Sequence, residues 1–523
     1  MKKQRSRYIF AAVRDMGQGE GTAVQGERRI QAQVAVVGGG PVGMLVAAEL
    51  AAHGVDTVVL ESEADVSERP KATTLHARAV QCLARRGHLP APAAPYSRAA
   101  AASPFHFAGL PGLIITAPEN EPEPILKCPQ AQLERLFEGR ARAEGARILR
   151  EHRVTGVSQE PDGVRITAEG AAGPAVCTAR YVVGADGARS MVRQQAGIGS
   201  ETHPATVSAL MGVVTLADPD ALAEGWHRTP RGWIAVKRDP EGRTHIRTLD
   251  CTGAHADRHL PPTLEELRRE VSWITGREIA MEEPRWLSRF SDFTRLAKTF
   301  RAGRVFLVGD AAHVHFPIGG QGLSTGVLDA LNLGWKLALA VRGEAGPDLL
   351  DTYDPERRPV ARRVIDNTRA QLALMRPGPE AEALRGVFTG LLAADRAHGH
   401  LSGIISAQDT VIPEPAGRAA PGAGRFLHNV ALTTATGETD VIGLLQDGRP
   451  LLLLFGEKGG GYRDEARGWE GILRVVRARP TPDVPYEALL VRPDGYIAWA
   501  PGGDDLAVAL SVYFAEGARA GRP

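Results

Sequence analysis

The sequence predicts an α/β protein whose amino-terminal part is a Rossmann-like dinucleotide-binding domain. Three observations carry this prediction: the length of the chain, its ordinary globular composition, and a strand, glycine turn, helix, strand and acid in succession near the amino end. The chain has 523 residues, of which 43% are hydrophobic and 24% are charged, which is usual for a folded protein. At about 100 to 200 residues per domain, this length predicts several domains.

Composition also excludes some classes of function. The formal net charge of +1 argues against a nucleic-acid partner, because nucleic-acid readers carry a basic surplus on one face. The four cysteines lie far apart along the chain, so they form neither a CxxC pair nor a metal-ligand spacing, and we predict no metal site. No apolar run is long enough to span a membrane. We expect a cytoplasmic protein that binds neither nucleic acid nor membrane.

The first predicted element is a βαβ unit. A buried strand over 34–37 enters a glycine-rich turn, a helix runs to His53, and a second strand over 57–60 ends at an acid. The first glycine permits the tight turn, the second lets the backbone approach a pyrophosphate, and the third lets the helix pack on the strand. The acid would accept the ribose hydroxyls of either FAD or NAD. The residues assigned to this dinucleotide site are Gly38, Gly40, Pro41, Val42, Gly43 and Glu61.

Two later turns repeat the theme of an apolar strand followed by an acid. Strand 180–184 leads into Asp186-Gly187, and strand 304–308 leads into Gly309-Asp310. Ligands of open α/β sheets bind beyond the carboxyl ends of the strands, so these turns are expected to meet the glycine turn at one edge. An additional acid there can receive the ribityl hydroxyls of a flavin. Each turn read by itself is also compatible with an ordinary structural turn.

The segment after Asp310 is a glycine-flanked loop followed by an apolar helix. The loop can wrap a flat ring, and the N–H groups that open the helix near Gly322, Leu323 and Ser324 can face a flavin edge and stabilise negative charge there. The alternative is that Ser324 and its neighbour are plain N-caps. His313 and His315 lack a third metal ligand at a suitable spacing, which favours packing or pocket roles.

The remaining chain divides by pattern. Residues 1–31 are expected to be a flexible leader, with the fold beginning near Ala32. We assign 32–205 and 301–412 to the cofactor domain, with 92–128 contributing to the substrate side, and 206–300 to a mixed β-sheet substrate domain. Residues 413–424 have the composition of a linker, and 425–523 of a separate domain. Candidate substrate-wall residues are Arg231, Trp233, His245, Arg247 and Phe316, although strand alternation turns about half of such residues away.

Three motifs in this order resemble those of a known family. The glycine turn at Gly38, the segment 181–190 (YVVGADGARS) and the segment 304–337 together resemble the group A flavoprotein monooxygenases of the para-hydroxybenzoate hydroxylase type, nearest to the bacterial hydroxylases of aromatic polyketides. The resemblance covers about residues 33–363. It implies a GR2-type FAD-binding domain, noncovalent FAD, NADPH or NADH as reductant, and a flavin C4a-hydroperoxide that delivers one oxygen of O2 to an aromatic substrate.

The resemblance also implies roles for single residues. Glu61 corresponds to the acid on the adenosine ribose, Asp310 to the ribityl partner, and Asp186 to an acid tied to both FAD and NAD(P)H. Lys71 stands where the family usually has arginine, so the bidentate fork is lost there, and Ser324 stands where relatives often have asparagine. The other residues implied at the cofactor are Arg69, Gln130, Gly187, Gly320, Gly322, Leu323 and Ser324. Those implied near the reacting atoms are Pro317, Gly322, Leu323 and His315.

The segment from Gly417 resembles the thioredoxin-like terminal domain of phenol-hydroxylase relatives. It lacks a CxxC pair, so we expect no redox role for it. The same family chemistry also supports Baeyer–Villiger insertion, epoxidation or oxidative rearrangement, which residue types cannot separate. A non-catalytic flavin-binding or polyketide-binding partner is the alternative from another class. The chain is expected to act as a monomer or homodimer.

Overall fold

The computed structural model describes residues 28–90, 99–171, 173–256, 260–413, 420, 422–457 and 459–515. Most of the predicted leader and most of the predicted linker lie outside these residues. The first strand begins at Arg28, four residues before the expected start at Ala32, because residues 28–32 pair with 175–179 of a neighbouring strand. None of the described helices is both long and apolar enough to cross a membrane.

Four groups of elements follow one another along the chain. The first group is β1 (Arg28–Val37), α1 (Pro41–Ala52), β2 (Thr57–Leu60), β3 (Thr74–His76), α2 (Ala77–Arg85), β4 (Ala101–Phe107), β5 (Leu110–Ala117), β6 (Ile125–Lys127), α3 (Gln130–Ala143), β7 (Arg147–Leu149), β8 (His152–Glu160), β9 (Gly163–Gly170), β10 (Gly173–Gly184), α4 (Met191–Gln195) and β11 (Ser200–His203). The second is β12 (Ser208–Leu216), β13 (Gly225–Thr229), β14 (Gly232–Arg238), β15 (Thr244–Leu249), α5 (Leu264–Thr275) and β16 (Met281–Ser291). The third is β17 (Thr294–Ala297), β18 (Arg301–Ala302), β19 (Val305–Leu307), β20 (His313–Val314), α6 (Gly322–Arg342), α7 (Tyr353–Met375), α8 (Pro379–Leu392) and α9 (Asp395–Ser406). The last is β21 (Ala431–Thr434), β22 (Gly437–Asp440), α10 (Val441–Leu445), β23 (Leu451–Phe455), α11 (Gly460–Glu465), β24 (Arg474–Ala478), β25 (Ala488–Val491), β26 (Ile497–Trp499) and α12 (Leu506–Tyr513).

The first and third groups share one large sheet. Its strands run in the order β18, β19, β10, β1, β2 and β7, with the β8–β9 hairpin added to β10. Strands β19, β10, β1, β2 and β7 are parallel to one another, whereas β18 and β9 pair with them antiparallel. The carboxyl ends of the parallel strands therefore lie at one edge, which confirms that the glycine turn, Glu61 and the two later acidic turns share that edge. The last four residues of β1 and all four of β2 are buried, as is typical of parallel strands in the interior of a sheet.

The second group forms a five-stranded sheet in the order β13, β14, β15, β12 and β16. The expected mixed sheet has only antiparallel pairings, because hairpins join β13 to β14 and β14 to β15. Apolar residues alternate between its two faces. One face packs on α5 through Leu210, Ile234 and Ile246, and the other faces the cofactor part through Trp233 and Leu249.

The last group is a six-stranded sheet in the order β22, β21, β24, β23, β25 and β26. Within it β23 and β24 are parallel while β25 and β26 are antiparallel additions, which is the strand arrangement of the thioredoxin fold. The turn between β25 and β26 reaches into the cofactor part. There Arg492 and Asp494 are buried and bond Glu356 of α7 and Asn332 of α6.

Candidate active site at the carboxyl edge of the parallel sheet

The three glycines of the first turn have the three spatial roles that their spacing predicts. Gly38 has φ +103°, and a Cβ atom there would lie 2.4 Å from the carbonyl oxygen of Ala185. At Gly43 a Cβ atom would lie 2.0 Å from the carbonyl oxygen of Gly38. At Gly40, by contrast, a Cβ atom would meet no described atom within 4 Å. The open side of Gly40 at the start of α1 therefore offers room and backbone N–H groups for a phosphate group.

The segments that follow β1, β10 and β19 touch one another. Gly38 approaches Ala185 as described above, and the Val42 side chain lies 3.4 Å from the position of a Cβ atom on Gly309. Helix α6 joins the cluster through Gly326, where a Cβ atom would lie 2.7 Å from Val42. Larger side chains at these contacts would push the three turns apart. The structure thus brings the three sequence motifs into one site.

Glu61 lies directly at the glycine turn. Its carboxylate accepts a hydrogen bond from the N–H of Gly39 and another from the N–H of Glu63, the latter at 2.7 Å. Ser62 donates to the same carboxylate oxygen as Glu63, at 3.2 Å. The carboxylate is only half-buried, so it remains accessible beside the turn.

The two later acids differ in what they bond. Asp310 is exposed at the sheet edge, and none of the residues that the structure describes bonds or pairs with its carboxylate. Although the residue is exposed, nearby protein displaces water from its carboxylate and so raises the pKa of Asp310, and the charges of His313 and Lys71 oppose that rise. Asp186 instead accepts hydrogen bonds at one oxygen, Oδ2, from the N–H groups of Met191 and Val192 at 2.7 and 3.0 Å. Asp186 thereby caps α4, and its other oxygen is buried without a partner among the described residues.

The basic residues expected near a pyrophosphate lie on exposed chain. The charge of Lys71 opposes the rise in pKa that burial causes at both Asp310 and Glu134, which places Lys71 on the cofactor side of the sheet edge. The side chain of Arg69 is exposed. Gln130 begins α3, and its N–H donates to Ala72 at 2.9 Å, which fixes its backbone beside that basic segment.

Helix α6 begins with unpaired donors. Its first backbone bond runs from the N–H of Thr325 to the carbonyl of Gln321, and no side chain in the described part of the chain caps this end. The N–H groups of Gly322, Leu323 and Ser324 are therefore free for a ligand, with the positive end of the helix dipole behind them. The plain N-cap alternative for Ser324 is wrong, because its hydroxyl accepts the His76 N–H at 3.0 Å.

The loop before α6 presents different residues to the site and to the core. Pro317 is exposed. Phe316 is buried against Phe290 of β16, with ring centroids 5.6 Å apart, so it joins the loop to the second sheet. His315 lies 3.3 Å from the position of a Cβ atom on Gly322, and burial lowers its pKa to about 4. At neutral pH His315 is therefore uncharged beside the helix terminus.

Sequence reasoning missed three residues that hold this loop. Asp329 is a lone acid in the apolar helix α6, and its carboxylate accepts bonds from Gly309 N–H at 3.1 Å and from His313 at 2.7 Å. Arg357 of α7 pairs with the other oxygen at 2.8 Å. His76 contacts the Gly319 carbonyl at 2.8 Å through its Nε2 atom. The signal for Asp329 was available, since an acid in an apolar stretch requires a buried partner.

The second sheet contributes an aromatic wall. Trp233 is buried, lies over Gly109, and donates from Nε1 to the Met375 carbonyl at 2.6 Å. Arg247 lies on the same face of the sheet as Trp233. Trp233 and Ala235 are two residues apart on β14 and therefore share a face, and Arg247 of β15 pairs with Ala235, just as Leu249 pairs with Trp233. His245 also shares the face, but it lies at the far hairpin, 3.3 Å from Asp239.

Arg231 does not belong to this wall. It lies in the turn between β13 and β14, and its guanidinium donates to the carbonyl of Trp273 at 3.1 Å and stacks over that ring. Trp273 belongs to α5, which covers the opposite face of the sheet. The expectation for Arg231 is therefore wrong, because the turn directs its long side chain towards the helix.

The residues present fit a dinucleotide that ends in a flat ring. An open glycine turn, an acid for ribose hydroxyls, an unpaired carboxylate at Asp310 and unpaired helix N–H groups follow one another along a single edge. Each offers the group that the next part of such a cofactor requires. The aromatic wall contacts the loop that leads to these helix N–H groups, through Phe290 and Phe316.

Comparison with known proteins agrees with this geometry. A model of an FAD binding domain matches residues 31–368, and a model of the aromatic-ring hydroxylase C-terminal domain matches residues 420–516. Anhydrotetracycline monooxygenase of Streptomyces rimosus is 36% identical over 501 residues, covering 92% of this chain and 98% of the relative. Dialkyldecalin synthase of Streptomyces rugosporus is 36% identical over 490 residues, covering 92% and 98%. The crystal structure of CabE, an aromatic hydroxylase from angucycline biosynthesis, matches with a TM-score of 0.84 and 35% identity, covering 92% of this chain and 99% of CabE.

Proposed function

This chain belongs to the family of FAD-dependent aromatic-ring monooxygenases, and we propose that it uses NADPH or NADH and dioxygen to hydroxylate a polycyclic aromatic polyketide. In the balanced reaction, the substrate, O2, NAD(P)H and a proton give hydroxylated substrate, NAD(P)+ and water. The observation that supports this most is the aromatic wall of the second sheet, which contacts the loop that leads to the helix N–H groups. That wall suits a flat, electron-rich ring system.

Bound FAD supplies the two-electron redox chemistry and the reaction with dioxygen. The chain supplies binding and position. Glu61 takes the adenosine ribose, the open turn at Gly40 takes the pyrophosphate, and Asp310 takes the ribityl hydroxyls. The free N–H groups of Gly322 and Leu323 stabilise negative charge that develops on the ring, since they are fixed before the reaction begins.

The second sheet and the loop before α6 enclose the reacting region. Trp233 and Phe290 make one side apolar, and Phe316 joins that side to the loop that carries Pro317. Such an enclosure excludes water, which protects reactive oxygen species from wasteful decay. His315 and His76 are neutral at neutral pH, because burial lowers the pKa of each to about 4. His76 and His315 both bond backbone carbonyls of the loop and so help to position it.

The nicotinamide reductant has no dedicated fingerprint in the sequence, which contains one glycine-rich dinucleotide turn. We therefore place its approach at the open side of the cleft, by which we mean the space between the cofactor edge of the first sheet and the aromatic wall of the second. There it binds transiently. One carboxylate oxygen of Asp186 is buried without a partner among the described residues. Asp186 is also the acid that the family motif associates with both nucleotides.

Oxygen insertion into a carbon–carbon bond, epoxidation and oxidative rearrangement remain alternatives with the same cofactor.

A non-oxidative role also has specific support, because one relative of equal identity is named a dialkyldecalin synthase and not a monooxygenase. In that case the aromatic wall would serve shape recognition alone, and FAD would have a structural role.

The decisive experiment incubates the purified yellow protein with NADPH or NADH and a panel of polycyclic phenols in air containing labelled dioxygen. The proposal expects substrate-stimulated oxidation of the nicotinamide and a product whose mass increases by one labelled oxygen atom. Ring-expanded lactone products would favour insertion into a carbon–carbon bond. Turnover without nicotinamide oxidation and without label would favour the synthase alternative and overturn hydroxylation.

A further inference from the structure

A half-buried arginine, with no ion-pair partner in the described part of the chain, lies on the cleft face of the second sheet. Arg247 pairs in register with Ala235 on β14 and with Met211 on β12. Both of these neighbours are buried, and the next position on that face is Trp233, which contacts the cofactor part. The Arg247 side chain therefore leaves the sheet on the side of the cleft, opposite to α5.

No carboxylate among the described residues pairs with Arg247, and no hydrogen bond to a described residue satisfies its guanidinium. The contrast with Arg289 on β16 shows that the fold can neutralise such a group. Arg289 lies on the α5 face and binds both oxygens of Glu266 at 2.6 and 2.8 Å. Burial lowers the pKa of Arg247, yet an arginine keeps its charge in proteins. A charge left half-buried in this way costs free energy until an anion pairs with it.

Two lysines add positive charge to the same cleft. Lys237 lies two residues beyond Ala235 on β14 and therefore on the same face of the sheet as Arg247. Lys127 approaches from the other side, donates to Thr74 at 3.2 Å, and Thr74 in turn lies beside Gly320. Each lysine is exposed and without an acidic partner in the part of the chain that the structure covers. Burial and the charge of Lys237 lower the pKa of Lys127, which shows that the two ammonium groups share one region.

The neighbouring histidines do not balance or add to this charge at neutral pH. Burial, together with the charge of Lys127, lowers the pKa of both His76 and His106 to about 4. His106 also accepts the Gly109 N–H at its Nδ1 atom. Among the residues that the structure describes, the cleft therefore carries three cations without an acidic partner, although the chain as a whole is nearly neutral and has only eight lysines.

We infer that the cleft binds its aromatic substrate as an anion, with Arg247 pairing to an ionised oxygen group on the ring system. This inference rests on the proposed function for the location of the substrate. A carboxylate or an acidic enol both offer the required chemistry, since a guanidinium pairs with either. Lys127 and Lys237 attract the anion to the cleft, while Arg247, as the half-buried group, decides specificity.

Binding to the FAD-loaded enzyme, without nicotinamide, tests this directly. The probes are two matched pairs: a hydroxynaphthoate and its carboxamide, and a hydroxynaphthoquinone that is ionised at neutral pH and its methyl ether. Affinities are read from the change in the flavin absorption spectrum and from calorimetry. We expect at least one anion to bind about tenfold or more tightly than its neutral partner, as for a hydrogen bond to a charged group. The pair that shows the preference identifies carboxylate or enolate as the recognised group.

Variants assign the preference to a residue. Arg247→Met should reduce the preference for the anion over its neutral partner to within about twofold, and Arg247→Lys should keep part of the preference. The matched control Arg231→Met, on the opposite face, should keep the whole preference. FAD content and melting temperature report folding. Equal or weaker binding of both anions by the wild type overturns the inference, as does a preference that survives Arg247→Met. If Arg247→Met does not fold, the wild-type pairs and Arg247→Lys still decide. A preference without oxygenated product would contradict only the proposed function.

Discussion

The Nε2 atom of His313 lies 2.7 Å from Oδ2 of Asp329, and the same oxygen accepts the N–H of Gly309. This contact fixes the Gly309–Asp310 turn from behind, on the side away from the cleft. Arg357 completes the arrangement at the second oxygen. Asp310, the acid that we propose for the cofactor, is thus positioned by the buried Asp329.

Asp329→Asn should destabilise the fold and loosen the cofactor turn. Loss of the carboxylate leaves the buried Arg357 without its counter-charge, and breaking a buried pair from one side costs about 3–5 kcal/mol. We expect a lower melting temperature and faster FAD loss on dialysis. Asp366→Asn, at an exposed position of α7, is the control and should change neither. An unchanged melting temperature in Asp329→Asn would contradict the assignment.

Asp310→Ala should weaken FAD retention more than Asp186→Ala. The Asp310 carboxylate has no bond to the described protein and is free for the ribityl hydroxyls, whereas Asp186 uses one oxygen to cap α4. A hydrogen bond to a charged group contributes about 1.5–3 kcal/mol, or about 10- to 100-fold in affinity. The flavin remaining after extensive dialysis, released by denaturation and identified by mass, measures the effect. Equal retention in the two variants would reject the ribityl role of Asp310.

Glu356→Gln should weaken the contact with the carboxyl-terminal domain. It should also make the melting temperature fall less as the pH is lowered. Burial opposes ionisation of Glu356, but Arg492 and Lys336 overcome it and lower its pKa from 4.5 to about 2. Because the folded-state pKa is lower, its stabilisation is present above pH 4.5 and is lost as the pH falls towards 2. Melting temperatures of wild type and variant, followed from neutral pH to pH 3, should converge as the acid is approached. A constant difference over that range would show that ionisation of Glu356 does not stabilise the fold.

Removing the carboxyl-terminal domain should lower solubility without removing a redox centre. A chain that ends at Ile412 would lose Leu427 and Leu445, whose carbonyls accept from the buried guanidiniums of Arg85 and Arg86 at 2.9 and 2.8 Å. Light scattering and binding of a hydrophobic dye measure the exposed surface. All four cysteines precede this domain in the sequence, so disulfide reductase activity in the isolated domain would contradict a purely structural role.

The sequence predicted the parallel edge because its signals are local. The strand over 57–60, the glycine turn and the acid at Glu61 depend on neighbours a few residues apart, and the structure has them as expected. The direction of Arg231 and the partner of Asp329 depend on which helix covers which face. That packing is set by contacts between residues distant in sequence, which no local pattern records. Phe316 lies between these cases, since its loop was predicted but its contact with Phe290 was not.

The last prediction concerns control of wasteful reduction of dioxygen. Phe316 and Phe290 join the loop before α6 to the wall that receives substrate, so occupancy of the wall can change the loop's preferred position. Substrate can shift that equilibrium only by binding one position more tightly, and a tenfold change in rate requires about 1.4 kcal/mol of difference. We expect substrate to accelerate anaerobic reduction of the bound FAD by NAD(P)H, as read by loss of flavin absorption after rapid mixing.

Phe290→Ala should diminish the acceleration while FAD content stays normal, because it removes the contact but no cofactor ligand. Leu384→Ala, which changes an exposed apolar side chain of α8, is the control and should keep it. Equal reduction rates with and without substrate in the wild type would show that the loop does not gate this step.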